Sequence, residues 1–183
     1  MKVVIKDVRL SFPKLFEATT FKGTGTPRYE ASFLVEPGSA ANSAIEAAIK
    51  EVAKAKWGAK ADAKLKQFRS SKQTCCYVPG EMTGREENEG LMILSGNRKE
   101  KDGPVGKFDR DKTPIHNDNG RIYGGCYVNA SVDIWAQDGE FSGIRCTLIA
   151  VQFAKDGDAF GGTVAKSNGD EFEAMEAVED DLL

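Results

Sequence analysis

The alternation of apolar and polar residues is most regular near the end of the chain. Over residues 126–135 every second residue is apolar, which predicts a half-buried strand with Tyr127 and Trp135 on its polar face. Turn-forming residues follow at 137–140, and the apolar run 141–153 can pair back onto that strand. The sequence therefore predicts a long antiparallel hairpin here.

Shorter apolar or alternating segments predict further strands in the first hundred residues. Proline and glycine bound these segments, because both residues interrupt strand pairing and favour turns. Pro13 is expected to end the first of them. The predicted strands cover residues 3–12, 28–36, 74–78 and 90–95.

Residues 39–57 repeat their apolar positions at intervals of four and three residues, which is the period of a helix. Ser39 or Asn42 can cap the first turn, and Gly58 stands where a helix commonly ends. A second, short helix is predicted to follow, with Leu65 and Phe68 facing inward.

About five strands, one or two helices and antiparallel pairing are typical of a small Greek-key barrel or an α+β sheet. The OB-fold (oligonucleotide-binding fold), a five-stranded antiparallel barrel with a helix inserted between strands, is one such architecture. We expect a mainly β protein with some α structure, folded over residues 1–162. The compact part is expected to end near residue 160, and a flexible linker and acidic tail to occupy residues 163–183.

Charge is distributed unevenly along the chain. Residues 170–183 hold seven acidic side chains and no basic one, whereas the rest of the chain holds 25 basic and 21 acidic side chains. Blocks of like charge usually form solvated interaction tails, so this segment is a candidate partner-binding tail. A tail that only aids solubility is the alternative.

Residues 96–120 form the longest stretch without a predicted element. Loops of this length in a compact domain are usually functional or disordered. This loop carries six basic residues and one aromatic residue: Arg98, Lys99, Lys101, Lys107, Phe108, Arg110 and Lys112.

The sequence offers little for catalysis or metal binding, and we predict no enzymatic activity, no cofactor and no bound metal. The single histidine, His116, has no neighbouring serine or cysteine that it could activate. The four cysteines form no Cys-x-x-Cys pair and are expected to be buried, reduced thiols. The enzyme alternative is a metal-dependent nuclease that uses the loop and strand carboxylates Asp109, Asp111, Asp118 or Asp133.

Proteins that bind single strands combine a positive groove for the backbone with aromatic side chains on which bases stack. Tyr127 and Trp135 lie on the polar face of their strand, where burial does not account for them. Together with the basic loop they predict a nucleic-acid-binding surface. Its candidate residues are Tyr77, Arg98, Lys99, Lys101, Lys107, Phe108, Arg110, Lys112, Arg121, Tyr123, Tyr127 and Trp135.

Four segments are distinctive: RLSFP at 9–13, YEASFLV at 29–35, GGCYVNA at 124–130 and GIRCTLIAVQF at 143–153. With the lysine- and alanine-rich helix that ends KWG, they resemble a bacteriophage family of single-stranded DNA-binding proteins. That family was long described only as a domain of unknown function, and the resemblance covers about residues 2–162. It implies an OB-fold barrel, sequence-independent binding of single strands, and a role in phage DNA replication or recombination.

An acidic C-terminus is common among single-strand binders, so the tail is expected to modulate DNA binding and to recruit a polymerase or helicase. We expect single-stranded DNA as the main partner, weaker binding of double-stranded DNA, no membrane contact, and the cytoplasm of the host cell as location. A phage adaptor or structural protein without DNA affinity is the remaining alternative. The tail residues are Asp170, Glu171, Phe172, Glu173, Glu176, Glu179, Asp180, Asp181, Leu182 and Leu183.

Overall fold

The computed structural model describes residues 1–161 together with Phe172 and Ala174. Seven strands and two α-helices occur in this part of the chain. They are β1 (Lys2–Phe21), β2 (Thr24–Val35), α1 (Ala40–Trp57), α2 (Ala61–Phe68), β3 (Tyr77–Pro79), β4 (Met92–Lys99), β5 (Gly106–Phe108), β6 (Tyr127–Gln137) and β7 (Gly143–Lys155).

Five of the strands close into a barrel. Strand β1 pairs antiparallel with β2 and with β6, while β2 pairs with β4 and β6 pairs with β7. The barrel closes where β4 meets β7 in a parallel bridge between Asn97 and Thr147. This is the predicted OB-fold-like barrel, with both helices inserted between β2 and β4. The short strands β3 and β5 extend the sheet at its two ends.

The barrel core is built from the apolar positions of the alternating strands. Ile5, Phe33 and Ile134 are fully buried, and the inward residues of β6 are those that the alternation predicted. Helix α1 packs against β1 and β6 and buries Ile45 and Ile49 in the same core. Burying one such side chain contributes about 1.5–3 kcal/mol, so the alternation is the main determinant of the fold.

Both helices lie where the sequence predicted them. The Ser39 hydroxyl accepts a hydrogen bond from the Asn42 amide at 3.1 Å and caps α1. Gly58, with a φ of 53°, ends this helix and donates its N–H to the Lys54 carbonyl. In α2, Leu65 and Phe68 are buried as expected.

The prediction that the first strand ends at Pro13 is wrong, because β1 continues to Phe21. The pairing of β1 with β2 shifts register between Ser11 and Lys14, and Phe12 has a φ of 47°. An irregularity of this kind leaves residues out of the ladder, so a proline without an N–H is tolerated there. The strand then turns back through a two-residue turn, in which Lys22 and Gly23 both have a positive φ.

The loop predicted over residues 96–120 is shorter than expected. Strand β4 runs to Lys99, so Arg98 and Lys99 are strand residues, and β5 lies within the remaining segment.

Residue 161 is the last of the continuously described residues, and apart from Phe172 the predicted tail residues lie outside the described part of the chain. Among the residues described, no helix has the length and apolar character needed to span a membrane.

Candidate nucleic-acid interface

A groove of about 480 Å³ follows the seam where β4 and β7 close the barrel. Four strands supply its walls, because β2 lies beside β4 and β6 lies beside β7. We call it the seam groove; it is lined by Arg28, Asn97, Arg98, Lys99, Asp102, Trp135, Gln137, Arg145, Cys146 and Thr147. Four of these residues are basic and one is acidic, so the groove is a positively charged concave surface.

The positive charge is concentrated where Arg28 of β2 lies directly opposite Lys99 of β4. Like charges at directly opposed positions of an antiparallel pair destabilise the sheet. The Arg28 guanidinium donates to the Asn97 side-chain oxygen at 2.8 Å, and within the described residues neither cation forms an ion pair with a carboxylate. The pair is therefore available to an anionic ligand.

Trp135 provides the aromatic wall of the seam groove. Its side chain is 38% exposed, and its indole N–H donates to the Thr147 hydroxyl at 3.1 Å. This hydrogen bond fixes the ring beside the β6–β7 ladder, so the ring is held in place before any ligand binds. The sequence prediction placed Trp135 on the outward face of its strand, and the structure confirms that position.

Two other arginines contribute charge to the seam groove but have a structural role as well. Arg145 donates to the Gln137 side chain and to the carbonyls of Gln73 and Phe141. Arg98 donates to the carbonyls of Gly103, Leu148 and Asp102. Since most of their N–H groups are occupied, they are less free than Arg28 and Lys99 to contact a phosphate.

Tyr77 was expected to offer a stacking face, and the structure contradicts this. Its side chain is fully buried in the core, and its hydroxyl donates to the Asn42 side-chain oxygen at 2.7 Å. Burial raises the pKa of the phenol. The ring packs inside the barrel wall, so no base can reach it.

The remaining predicted aromatics lie away from the seam groove. Tyr127 is half-buried at the opposite end of β6 from Trp135, and the Lys155 ammonium lies 4.6 Å from the centre of its ring. Tyr123 donates its hydroxyl to Asp156 and packs against the core. Phe108 is half-buried in a shallow hollow on the outer face of β6 and β7.

The basic residues of the predicted loop are not gathered at one place. Lys107 is 8% exposed, and its ammonium donates to the Val105 carbonyl at 2.8 Å. Because the side chain is buried and its ammonium is held by a carbonyl, the expectation that Lys107 contacts phosphate is wrong. Burial also lowers the pKa of this ammonium. Arg121 pairs with Asp109 at 3.2 Å and stacks on Phe153.

Three loop cations remain exposed: Lys101, Arg110 and Lys112. Lys101 adjoins Asp102 at the rim of the seam groove. Arg110 lies beside a more distant part of β7, because its carbonyl accepts a hydrogen bond from Gln152, five residues beyond Thr147. The seam groove therefore brings together only Arg98, Lys99 and Trp135 of the predicted site.

Sequence reasoning missed Arg28, Asn97 and Arg145. Arg28 stands on the outward face of its predicted strand, so its outward orientation was readable from the alternation. Its position opposite Lys99 was not readable, because the register between strands depends on the whole sheet.

The carboxylates of the nuclease alternative are held in separate local contacts. Asp133 pairs with the N-terminal amine at 2.7 Å, Asp111 accepts from the Thr113 amide, and Asp118 accepts from the Gly120 amide. No group of three metal-ligating side chains occurs among the residues that the structure describes.

The four cysteines are free and buried, and burial raises the pKa of the Cys146 thiol to about 12.

Comparison with known proteins gives consistent matches over the chain. The family model described as Enterobacter phage Enc34, ssDNA-binding protein matches residues 1–183. A protein called p50, from Acyrthosiphon pisum secondary endosymbiont phage 1, is 36% identical over 187 residues, which cover 100% of this chain and 98% of p50.

Two solved structures share the fold. One is a single-stranded DNA-binding protein from bacteriophage Enc34 in complex with ssDNA, with a TM-score of 0.67, 20% identity, and 87% and 89% of the two chains covered. The other is gp2.5, a single-stranded DNA-binding protein encoded by bacteriophage T7, with a TM-score of 0.58 and 8% identity. That match covers 91% of this chain and 98% of gp2.5.

Proposed function

The chain belongs to the family of the Enterobacter phage Enc34 single-stranded DNA-binding protein, and we propose that it binds single-stranded DNA, without sequence preference, in the seam groove. The observation that carries this proposal is the fixed Trp135 ring beside Arg28 and Lys99, two cations that form no ion pair within the described residues. A positive groove with an aromatic platform is the combination that single-strand binding requires. The likeness to an Enc34 protein in complex with ssDNA supports the same function.

Different residues of the groove contribute charge and stacking. Arg28 and Lys99 contact phosphates, and a base stacks on Trp135, while Asn97 and Thr147 offer polar groups between them. Stacking is sequence-tolerant because every base has a flat face. In the described part of the chain no α-helix lines the groove, so base edges meet only a few polar side chains.

Titration of the full chain with labelled oligonucleotides tests this function. Oligo-dT and mixed-sequence single strands are expected to bind with affinities within about a hundredfold of each other, which corresponds to about 2.7 kcal/mol. The affinity is expected to fall linearly with salt on a double-logarithmic plot, because bound counterions are released. Absence of binding, or a stronger preference for one sequence, would contradict the proposal.

We further propose that the protein acts in phage DNA replication or recombination and that its acidic tail regulates access to the groove. The tail carries seven carboxylates, whereas the seam groove is positively charged. A tethered anionic segment reaches a local concentration of about a millimolar, so it competes with DNA for the cations. DNA that displaces the tail makes it available to a replication partner, with Leu182 and Leu183 as its apolar anchor.

Deleting residues 170–183 is therefore expected to raise the affinity for single-stranded DNA by about two- to tenfold at low salt. The gain is expected to shrink at high salt, where attraction between tail and groove is screened. Weak binding of double-stranded DNA is also expected to become stronger in the shortened chain.

The matched control keeps the tail length and changes its seven carboxylates to amides. This variant is expected to bind like the shortened chain, because charge rather than bulk excludes DNA. Equal affinities of the wild-type and shortened chains at low salt would show that the tail does not regulate binding.

A further inference from the structure

A second groove, of about 370 Å³, joins the seam groove at Asn97 and continues across the barrel toward β1. Its floor carries the Ser32 and Ser95 hydroxyls, which lie 3.2 Å apart. Lys14 and Glu30 form an ion pair at 3.5 Å within it. At its far wall lies Phe12, with Arg85 against it.

Phe12 occupies this wall in a strained backbone conformation. Its φ of 47° lies in the left-handed region, which costs a bulky residue energy that glycine would not lose. The register shift at this point turns the ring out of the barrel, and 51% of the side chain is exposed. An exposed aromatic side chain kept in a strained conformation contributes little to the core, so packing does not explain its presence.

Arg85 stacks on this ring, with the guanidinium carbon 3.7 Å from the ring centre. A guanidinium stacked in this way keeps its N–H groups at its edge, where they can donate to a phosphate. Within the described residues Arg85 forms no ion pair. The stacked pair thus combines a flat surface with a free positive charge.

We propose that Phe12 and Arg85 form a second base-stacking platform for single-stranded DNA. One base stacks on the pair, and the Arg85 guanidinium contacts the adjoining phosphate. The strand then runs from Trp135 through Asn97 to Phe12, across four strand spacings of the barrel, about 19 Å. The proposal rests on the proposed binding of single-stranded DNA in the seam groove.

The test is a length series of oligo-dT, from three to fifteen nucleotides, titrated against the wild-type chain and the Phe12→Gly variant. Glycine removes the ring and suits the positive φ, so the melting temperature is expected to stay the same or rise. Short oligonucleotides are expected to bind both proteins equally, because they occupy only the seam groove. Those long enough to reach both platforms are expected to bind the variant about tenfold more weakly.

Two further variants, with a third as a control, separate stacking from charge. Phe12→Tyr keeps the ring and is expected to bind like the wild type. Arg85→Ala is expected to weaken binding of long oligonucleotides only, whereas Lys50→Ala, which removes an exposed charge from α1, is expected to change nothing.

Equal affinity of the wild-type and Phe12→Gly proteins at every length would overturn the second platform while leaving the seam groove intact. Failure of the wild-type chain to bind any oligonucleotide would overturn both proposals.

Discussion

Replacing Trp135 with alanine is expected to weaken binding of single-stranded DNA by about five- to 150-fold, which corresponds to about 1–3 kcal/mol for one stacked base. The indole provides the aromatic wall of the seam groove, and its hydrogen bond to Thr147 holds it beside the β6–β7 ladder. Because 38% of the side chain is already exposed, stability should fall less than the about 3–5 kcal/mol typical of a buried aromatic.

Tryptophan fluorescence offers a direct measurement of the same interaction. Trp57 packs on Phe68 and does not line the seam groove, so quenching by DNA is expected to come from Trp135. Trp57→Phe should keep the quenching, while Trp135→Phe should lose it and retain most of the affinity. A large drop in melting temperature for Trp135→Ala, without a specific loss of binding, would instead make Trp135 a core residue.

The barrel could be predicted because its determinants are local. Alternation over residues 126–135 and the helical period over 39–57 reflect which side chains a single element buries, and both predictions are confirmed. The predicted end of β1 at Pro13 was wrong for a physical reason. Pro13 lacks an N–H for the ladder, but the register shift at Phe12 removes the need for one.

The candidate site could be predicted only in part because it depends on contacts between distant segments. Trp135 was found from the alternation of its own strand, whereas Tyr77 lies in a segment too short to show which face is inward. Lys107 looks like any loop lysine until the structure shows its ammonium against the Val105 carbonyl. Arg28 and Lys99 lie 71 positions apart, so only the register of β2 against β4 reveals that they are opposed.

The second large loss of affinity for single-stranded DNA is expected for the double variant Arg28→Gln/Lys99→Gln, which removes both of these opposed cations. Hydrogen bonds to charged groups contribute about 1.5–3 kcal/mol each, so removing the two cations that we propose contact phosphates should lower the affinity by about a hundredfold or more at low salt. The slope of the salt dependence should flatten by about 0.7 for each phosphate of a single strand that the protein no longer neutralises, or by about 1.4 for the pair. All sequences should be affected alike.

Stability should respond in the opposite direction, and this distinguishes a binding role from a structural one. Arg28 and Lys99 repel each other across the β2–β4 ladder, so neutral glutamines at both positions should leave the melting temperature unchanged or raise it. The matched control, Arg110→Gln/Lys112→Gln, removes two exposed cations that do not line the seam groove, and its salt slope should stay near that of the wild type. The reverse pattern, a flattened slope for the control and an unchanged slope for Arg28→Gln/Lys99→Gln, would move the DNA path to the loop beside β5. A protein that keeps two like charges opposed on neighbouring strands loses some stability, and the proposed binding of an anionic strand in the seam groove would account for this arrangement.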